Sequence, residues 1–153
     1  MKIVVSSDHA GFNHKSRLIK LIKSMGHTAL DVGTNSGESV DYPDFGEKGA
    51  KAVACGKADM GILICGTGIG ISMAANKVNG IRAAVCWNEE AAILAREHNN
   101  ANILCMGARF IPIKKCTEIA KTFINTPASN DERHVRRINK IMKIEERNKA
   151  CGN

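Results

Sequence analysis

A cysteine followed by alternating glycines is the clearest chemical signal in the sequence. Residues 62–77 read ILICGTGIGISMAANK, so an apolar run ends in Cys65 and glycines stand at positions 66, 68 and 70. A glycine-rich turn between a strand and a helix presents backbone N–H groups to an anion. The same environment favours the thiolate of a neighbouring cysteine. Cys65 could therefore act as a nucleophile or a base, or it could be a small buried apolar residue.

This glycine turn matches neither of the common nucleotide-binding loops. A Walker A loop ends in Gly-Lys-Ser/Thr, whereas Ile71 and Ser72 follow Gly70 here. The dinucleotide-binding pattern requires two residues between its second and third glycines, and only Ile69 lies between them. The sequence thus argues against an NTPase and against a nicotinamide-dependent oxidoreductase.

Further polar residues follow the predicted strands and helices. Asp8 and His9 come after the first strand, Tyr42 lies in the loop after the second, and Arg109 follows the last. His98 and Asn99 end a predicted helix. Each has a structural alternative, since Asp8 could cap the first helix and the His98–Asn99 pair could simply terminate its own.

Two arginines mark the last predicted helix. Arg133 and Arg137 are four residues apart and therefore share one helical face, with His134 beside them. Two guanidinium groups placed in this way could hold a phosphate from two sides, whereas Arg136 points elsewhere.

Short apolar runs alternate with helical patterns along the chain. The pattern predicts strands over 2–7, 28–32, 59–65, 81–86 and 101–107, and helices over 12–26, 43–56, 72 to about 77, 88–99, 112–125 and about 131–149. Such alternation indicates an α/β fold, a three-layer α/β/α Rossmann-like domain with a five-stranded parallel sheet and a C-terminal helix. Ligands bind at the carboxyl edge of such sheets, where the candidate residues would converge.

Length and composition set the broad class of protein. The 153 residues suit a single domain over 1–153, and no apolar run is long enough for a membrane helix. The N-terminus enters a strand at once, so we expect a cytoplasmic protein. The six cysteines lack metal-ligand or C-x-x-C spacing and are expected to be mostly buried, reduced thiols. A net charge of +7 favours anionic partners, either nucleic acid or small phosphorylated compounds.

Several motifs, taken together, resemble one enzyme family. SSDHAGF, DYPDF, ILICGTGIGISMAANK, GIRAAVC, EHNNANILCMGAR and RHVRRINKI occur in the order typical of the ribose-5-phosphate isomerase B family, which includes galactose-6-phosphate isomerase subunits. The resemblance runs nearly end to end. It implies interconversion of aldose and ketose phosphates without a metal or cofactor. It also implies a homodimer or homotetramer with active sites between subunits, and a C-terminal helix that packs on a neighbouring subunit.

The resemblance implies a role for each residue of the reaction. Cys65 is similar to the base that moves a proton between C2 and C1 of the sugar, with Thr67 assisting, and His98 to the residue that opens the furanose ring. Backbone N–H groups would stabilise the enediolate oxygen, and they belong to the turn residues Gly66, Gly68, Ile69 and Gly70.

Further positions match substrate contacts of the family. Asp8 would hold a sugar hydroxyl, Tyr42 would line the pocket, and the phosphate would be held by His9, Arg133 and Arg137. Asn99 and Arg109 match polar positions at the subunit boundary. One departure is the acidic pair Asp131–Glu132, which puts negative charge next to the expected phosphate site.

The expected activity is isomerisation of ribose 5-phosphate and ribulose 5-phosphate in the pentose phosphate pathway. A six-carbon substrate such as allose 6-phosphate or galactose 6-phosphate is the nearest alternative. Galactose isomerases assemble from two different subunits, and this chain carries the main catalytic positions by itself, which favours the ribose enzyme. A nucleic-acid-binding protein is less favoured, because the chain has few aromatic residues and no recognised motif. A catalytically silent sugar-phosphate sensor is a third alternative.

Overall fold

The computed structural model describes the backbone of residues 1–150 and the side chains of residues 1–147, so Cys151 lies outside the described residues. Strands and helices alternate along this part of the chain. The strands are Lys2–Ser7 (β1), Thr28–Asp31 (β2), Met60–Cys65 (β3), Ala83–Val85 (β4) and Ile103–Gly107 (β5). The helices are Phe12–Ser24 (α1), Tyr42–Ala54 (α2), Ile69–Ala75 (α3), Glu89–Asn99 (α4), Ile113–Asn125 (α5) and Glu132–Ala150 (α6). A short 3-10 turn at His9–Gly11 precedes α1.

The strands form one parallel sheet in the order β2-β1-β3-β5-β4. The chain leaves β1 towards one edge of the sheet and returns to β3 to build the other edge, so the strand order reverses between β1 and β3. Ser7 of β1 pairs with Ile64 of β3, and Cys65 of β3 pairs with Gly107 of β5. The predicted five-stranded parallel sheet and Rossmann-like architecture are therefore confirmed.

Helices cover both faces of the sheet. On one face the apolar residues of α1, α4 and α5 pack in one cluster with those of β1, β3 and β5. On the other face α2 and α3 pack on Leu63, Ile103 and Cys105. This burial on both faces explains why the central strands read as continuous apolar runs rather than as alternating ones.

Most element boundaries lie within one or two residues of the sequence prediction, and a side chain that the prediction did not use joins α3 to β4. Asn76 donates from Nδ2 to the carbonyl of Ala83 at 2.9 Å, and its Oδ1 accepts from the Ala83 N–H at 2.8 Å. The amide thus pairs with β4 as a neighbouring strand would. Helix α3 ends at Ala75 rather than near Lys77, and β4 covers Ala83–Val85 instead of 81–86.

The five described cysteines are free thiols, and four of them are buried. Burial raises the pKa of Cys86 and of Cys116 to about 11, and it raises that of Cys105 well above the ordinary value. These three thiols therefore stay protonated and act as small apolar residues of the core. Cys55 is exposed at the end of α2.

Helix α6 contacts its own chain along α4 and the turn before β4. Both carboxylate oxygens of Glu145 accept from the N–H of Gly80, at 2.8 and 3.0 Å. Arg82 donates to the carbonyls of Asn99 and Asn100, and its Nη1 lies 3.1 Å from Sδ of Met142. Arg82 thus ties the end of α4 to α6, while packing of α6 on a neighbouring subunit stays a prediction. No helix in the described part of the chain is both long and apolar enough to cross a membrane.

Candidate active site

A cavity of about 510 Å³ opens at the carboxyl edge of the sheet, where the strand order reverses. This is the position at which open α/β sheets bind ligands. Nine of the fourteen predicted site residues line it, together with Ser39, Val40 and Asp41: they are Asp8, His9, Tyr42, Cys65, Gly66, Thr67, Ile69, Gly70 and Arg109. The fold therefore brings together residues that are up to 101 positions apart (109 − 8) in the sequence.

Cys65 lies at the end of β3, where its side chain is 3% exposed. Its Sγ accepts a hydrogen bond from the N–H of Gly68 at 3.1 Å, as the chain turns into α3. Gly68 has a φ of +80°, which lies in the left-handed region that favours glycine. A Cβ at this position would stand 2.8 Å from the carbonyl carbon of Met106. Glycine is thus needed at position 68 to aim this N–H at the sulfur.

Two other glycines let large side chains lie across the turn. A Cβ on Gly70 would stand 2.6 Å from the ring of Tyr42, and a Cβ on Gly66 would stand 3.1 Å from Nε of Arg109. Tyr42 and Arg109 therefore form walls of the cavity directly over the turn. The sequence suggested backbone N–H groups as the reason for these glycines, and the structure adds close approach by side chains.

Thr67 is held by its own turn and by β5. Its Oγ1 accepts from the N–H of Ile69 at 3.2 Å. A Cβ on Gly107 would stand 2.5 Å from the carbonyl oxygen of Thr67, so the backbone of β5 supports the turn from below. Gly68 contacts Cys65 without being one of the residues that line the cavity.

Asp8 and His9 sit on the opposite wall, in the 3-10 turn after β1. Asp8 is 5% exposed and accepts from the N–H of Gly11 at 3.2 Å, so it caps the turn and also faces the cavity. Nδ1 of His9 lies 3.1 Å from the N–H nitrogen of Val40 and 3.3 Å from its carbonyl oxygen. A neutral ring accepts from the first and a cationic ring donates to the second. Either form fastens loop 33–41 to the cavity, which explains why Ser39 and Val40 line it without any sequence motif.

The remaining predicted residues lie outside this cavity in the single chain. The ring of His98, at the end of α4, stacks on the ring of His134 of α6 with centroids 4.1 Å apart and planes 10° apart. Arg133 Nη2 lies 3.2 Å from Nε2 of His134. We call His98, Arg133 and His134 the histidine cluster. Asn99 borders a smaller cavity of about 240 Å³ beside Arg82.

Helix α6 begins with an acidic cap. Oδ1 of Asp131 accepts from the N–H of Arg133 at 2.8 Å, and its Oδ2 lies 3.6 Å from Arg133 Nη2. The backbone hydrogen bond from Arg133, reinforced by the arginine charge, lowers the pKa of Asp131. The side chain of Arg137 is exposed one turn further along, and Arg136 borders a separate groove with Glu132 and Val135.

Comparison with known proteins shows the family of this chain. Residues 3–141 match the family described as Ribose/Galactose Isomerase. The chain therefore belongs to the ribose/galactose isomerase family, and the predicted family and enzyme class, an isomerase, are confirmed.

Individual relatives cover almost the whole chain. It is 41% identical to ribose-5-phosphate isomerase B of Escherichia coli (strain K12), over 95% of this chain and 97% of that one. It is 44% identical to the candidate sugar phosphate isomerase YwlF of Bacillus subtilis (strain 168), over 97% and 99%. The solved structure of Clostridium thermocellum ribose-5-phosphate isomerase B matches with a TM-score of 0.93 and 49% identity, over 96% and 99%.

Proposed function

We propose that this protein interconverts ribose 5-phosphate and ribulose 5-phosphate through an enediolate, with Cys65 as the base. The observation that carries the proposal is the position of Cys65. This residue lines the cavity at the carboxyl edge of the sheet, and its Sγ accepts from the N–H of Gly68 at 3.1 Å. The names of the relatives support the substrate class. The related structure from Mycoplasma genitalium, 40% identical with a TM-score of 0.89 over 95% of this chain and 96% of that one, is described with bound ribulose 5-phosphate.

The reaction needs a base beside the carbon chain and donors for a developing oxyanion. The Cys65 thiolate takes the proton from C2 of the open-chain aldose, and the electron pair moves onto O1 to give the enediolate. The same sulfur returns the proton to C1, while the hydroxyl proton on O2 passes to O1 and C2=O2 forms, which gives the ketose. The N–H of Gly68 donates to this sulfur and so fixes its position in the cavity. We propose that the other N–H groups of the turn donate hydrogen bonds to the enediolate oxygen.

Ring opening needs a proton donor and acceptor, and we assign this role to His98. His98 lies in the histidine cluster rather than in the cavity of its own chain. We therefore propose that the histidine cluster of a second copy completes the cavity, in a homodimer or homotetramer. Exposed apolar side chains beside the cavity suit such a contact, since Ile69, Trp87 and Phe110 are 52%, 64% and 75% exposed in the single chain.

The charges around the site suit a phosphorylated sugar. His9 and Arg109 line the cavity, and Arg133 and Arg137 would approach from the second copy. We propose that these groups bind the phosphate dianion and that Asp8 and Tyr42 contact the sugar hydroxyls. We further propose that the protein acts in the pentose phosphate pathway of the cytoplasm. Its net positive charge would then attract small anions rather than nucleic acid.

The direct test uses ribose 5-phosphate, allose 6-phosphate and galactose 6-phosphate in heavy water. We expect ketose with incorporated deuterium from ribose 5-phosphate in preference to both hexose phosphates. Cys65→Ala should abolish turnover, whereas Cys55→Ala, which removes an exposed cysteine far from the cavity, should leave it unchanged. A folded Cys65→Ala protein with near-normal turnover would contradict the mechanism.

Mixing two inactive variants tests the shared site. Cys65→Ala and His98→Asn should each be inactive, but a heterodimer contains one cavity with both native side chains. Equal mixing and exchange of subunits should therefore restore about one quarter of the sites in a two-fold dimer. Recovery of no activity, with subunit exchange shown by native mass spectrometry, would place His98 and Cys65 in the same chain's site.

A further inference from the structure

His134 is a buried histidine to which the proposed reaction gives no role. It is 5% exposed, and its ring lies almost parallel to that of His98 with centroids 4.1 Å apart. At the edge of the ring, Arg133 Nη2 lies 3.2 Å from Nε2. The ring of His134 is therefore held by His98 on one face and by Arg133 at its edge.

The contact with Arg133 defines the state of the His134 ring. A guanidinium group can only donate, so Nε2 of His134 must accept and carry no proton. The ring is then neutral, with its hydrogen on Nδ1. Burial, followed by the positive charges of His98 and Arg133, lowers the pKa of His134 in agreement with this geometry.

The charged groups that face His134 come from two helices. His98 approaches from α4, and Asp131, Arg133 and Arg137 approach from α6. Only Asp131 favours a cation, and its carboxylate is already bonded to Arg133. Two stacked imidazoles 4.1 Å apart disfavour charge on both rings, so the neighbours of His134 together favour its neutral state.

Resting on the proposed function, we propose that His134 is a positioning residue that holds the His98 ring in place and, by staying neutral, leaves the ring-opening proton to His98. His134 acts through His98 and need not touch the sugar. Its effect on kcat is therefore confined to the step that His98 performs, whereas the loss of its contact with Arg133 can change KM for both sugars alike.

Ribulose 5-phosphate separates that step from the rest of the reaction. Its O5 carries the phosphate, so it cannot close a furanose ring, and deuterium exchange at its C1 needs Cys65 but no ring opening. Ribose 5-phosphate needs both steps. A residue that merely stabilises the fold would affect the two measurements equally.

The experiment compares His134→Ala with His134→Phe, which keeps a flat ring against His98 and never carries a charge. We expect His134→Ala to lower kcat for ribose 5-phosphate by roughly 10- to 100-fold, part of what a general acid contributes. Deuterium exchange into ribulose 5-phosphate should stay within about twofold of the wild type, since proton transfer at Cys65 is untouched. His134→Phe should recover most of the lost turnover, and ring-current shifts of the His98 protons should persist in His134→Phe and vanish in His134→Ala.

Three results would overturn the proposal. His134→Ala could match the wild type, it could lose exchange and isomerisation equally, or His134→Phe could be as impaired as His134→Ala. A wild-type protein that acts on neither sugar would overturn the proposed function as well, so the two failures are distinguishable.

Discussion

Replacing Gly68 with alanine tests how the turn positions the Cys65 sulfur. The left-handed φ of +80° costs a non-glycine residue about 1–2 kcal/mol. The new Cβ would also stand 2.8 Å from the carbonyl carbon of Met106 and 3.0 Å from the nitrogen of Gly107. Both neighbours are backbone atoms of β5, so the turn itself must move by roughly 0.7 Å to reach an ordinary contact of about 3.5 Å.

The expected losses follow from these two terms. Overpacking typically costs about 1–3 kcal/mol, which brings the total loss of stability to roughly 2–5 kcal/mol. Displacing the Gly68 N–H from the sulfur should lower kcat by about 100-fold, as misplacements near 1 Å do in other sites. Stability is measured by thermal unfolding, where each kcal/mol shifts Tm by about 2–4 °C. Turnover is measured well below the transition and normalised to folded protein.

Gly26→Ala is the matched control. Gly26 has a φ of +78° and no atom within 4 Å of an added Cβ, so this variant carries the backbone cost without the clash. We expect a loss of about 1–2 kcal/mol and unchanged kcat. If Gly68→Ala unfolds at the same temperature as Gly26→Ala and keeps the wild-type kcat, Gly68 has no role in directing the N–H at the sulfur.

Two further predictions concern charges. Asp131→Asn keeps a helix cap but removes a carboxylate next to Arg133, so KM for the sugar phosphate should fall by about 1.5- to 5-fold at constant kcat, as expected for one exposed charge interaction. The pKa of Asp131 in the folded protein lies below its ordinary value of 3.8, so its charge stabilises the fold fully above pH 3.8. This stabilisation is lost as the pH falls through the lowered pKa. The urea unfolding curves of the wild type and of Asp131→Asn should therefore converge in acid. A second change, Asp31→Asn, removes the partner of Lys15, which is 3% exposed and lies 2.6 Å from the Asp31 carboxylate. We expect the free energy of unfolding to fall by about 2 kcal/mol. This is less than the roughly 3–5 kcal/mol for a fully buried pair, because Asp31 is half-exposed. Lys15→Met in the same chain should restore stability, and an Asp31→Asn protein with wild-type urea unfolding would show that the pair contributes nothing.

The fold was predictable because the relevant signals are local and periodic. Continuous apolar runs identified the buried parallel strands. Asn88, where the fourth helix was predicted to begin, accepts from the N–H of Ala91 at 2.7 Å and caps α4. The connection between α3 and β4 was not predictable, because the amide of Asn76 bonds to the backbone of Ala83 seven residues away. That contact has no periodic signature.

The cavity and the histidine cluster differ in how far the sequence reveals them. Cys65, Asp8 and Arg109 follow strands, so the carboxyl-edge rule brings them together without further information. The stacking of His98 on His134 depends instead on how α6 packs against α4, a contact between segments 36 positions apart (134 − 98) in the sequence. Sequence alone placed His134 beside the arginines, and only the packing shows its ring on His98.

The separation of Cys65 from the histidine cluster has a consequence for how activity scales with concentration. On the proposed arrangement, a lone chain holds the base and the ring-opening histidine in two places where they cannot act on one sugar molecule. Turnover per mole of chain is then governed by the association equilibrium, and it falls on dilution below the dissociation constant of the assembly. Substrate bridging two copies shifts that equilibrium towards the assembled form, so the sugar phosphate stabilises the enzyme that consumes it.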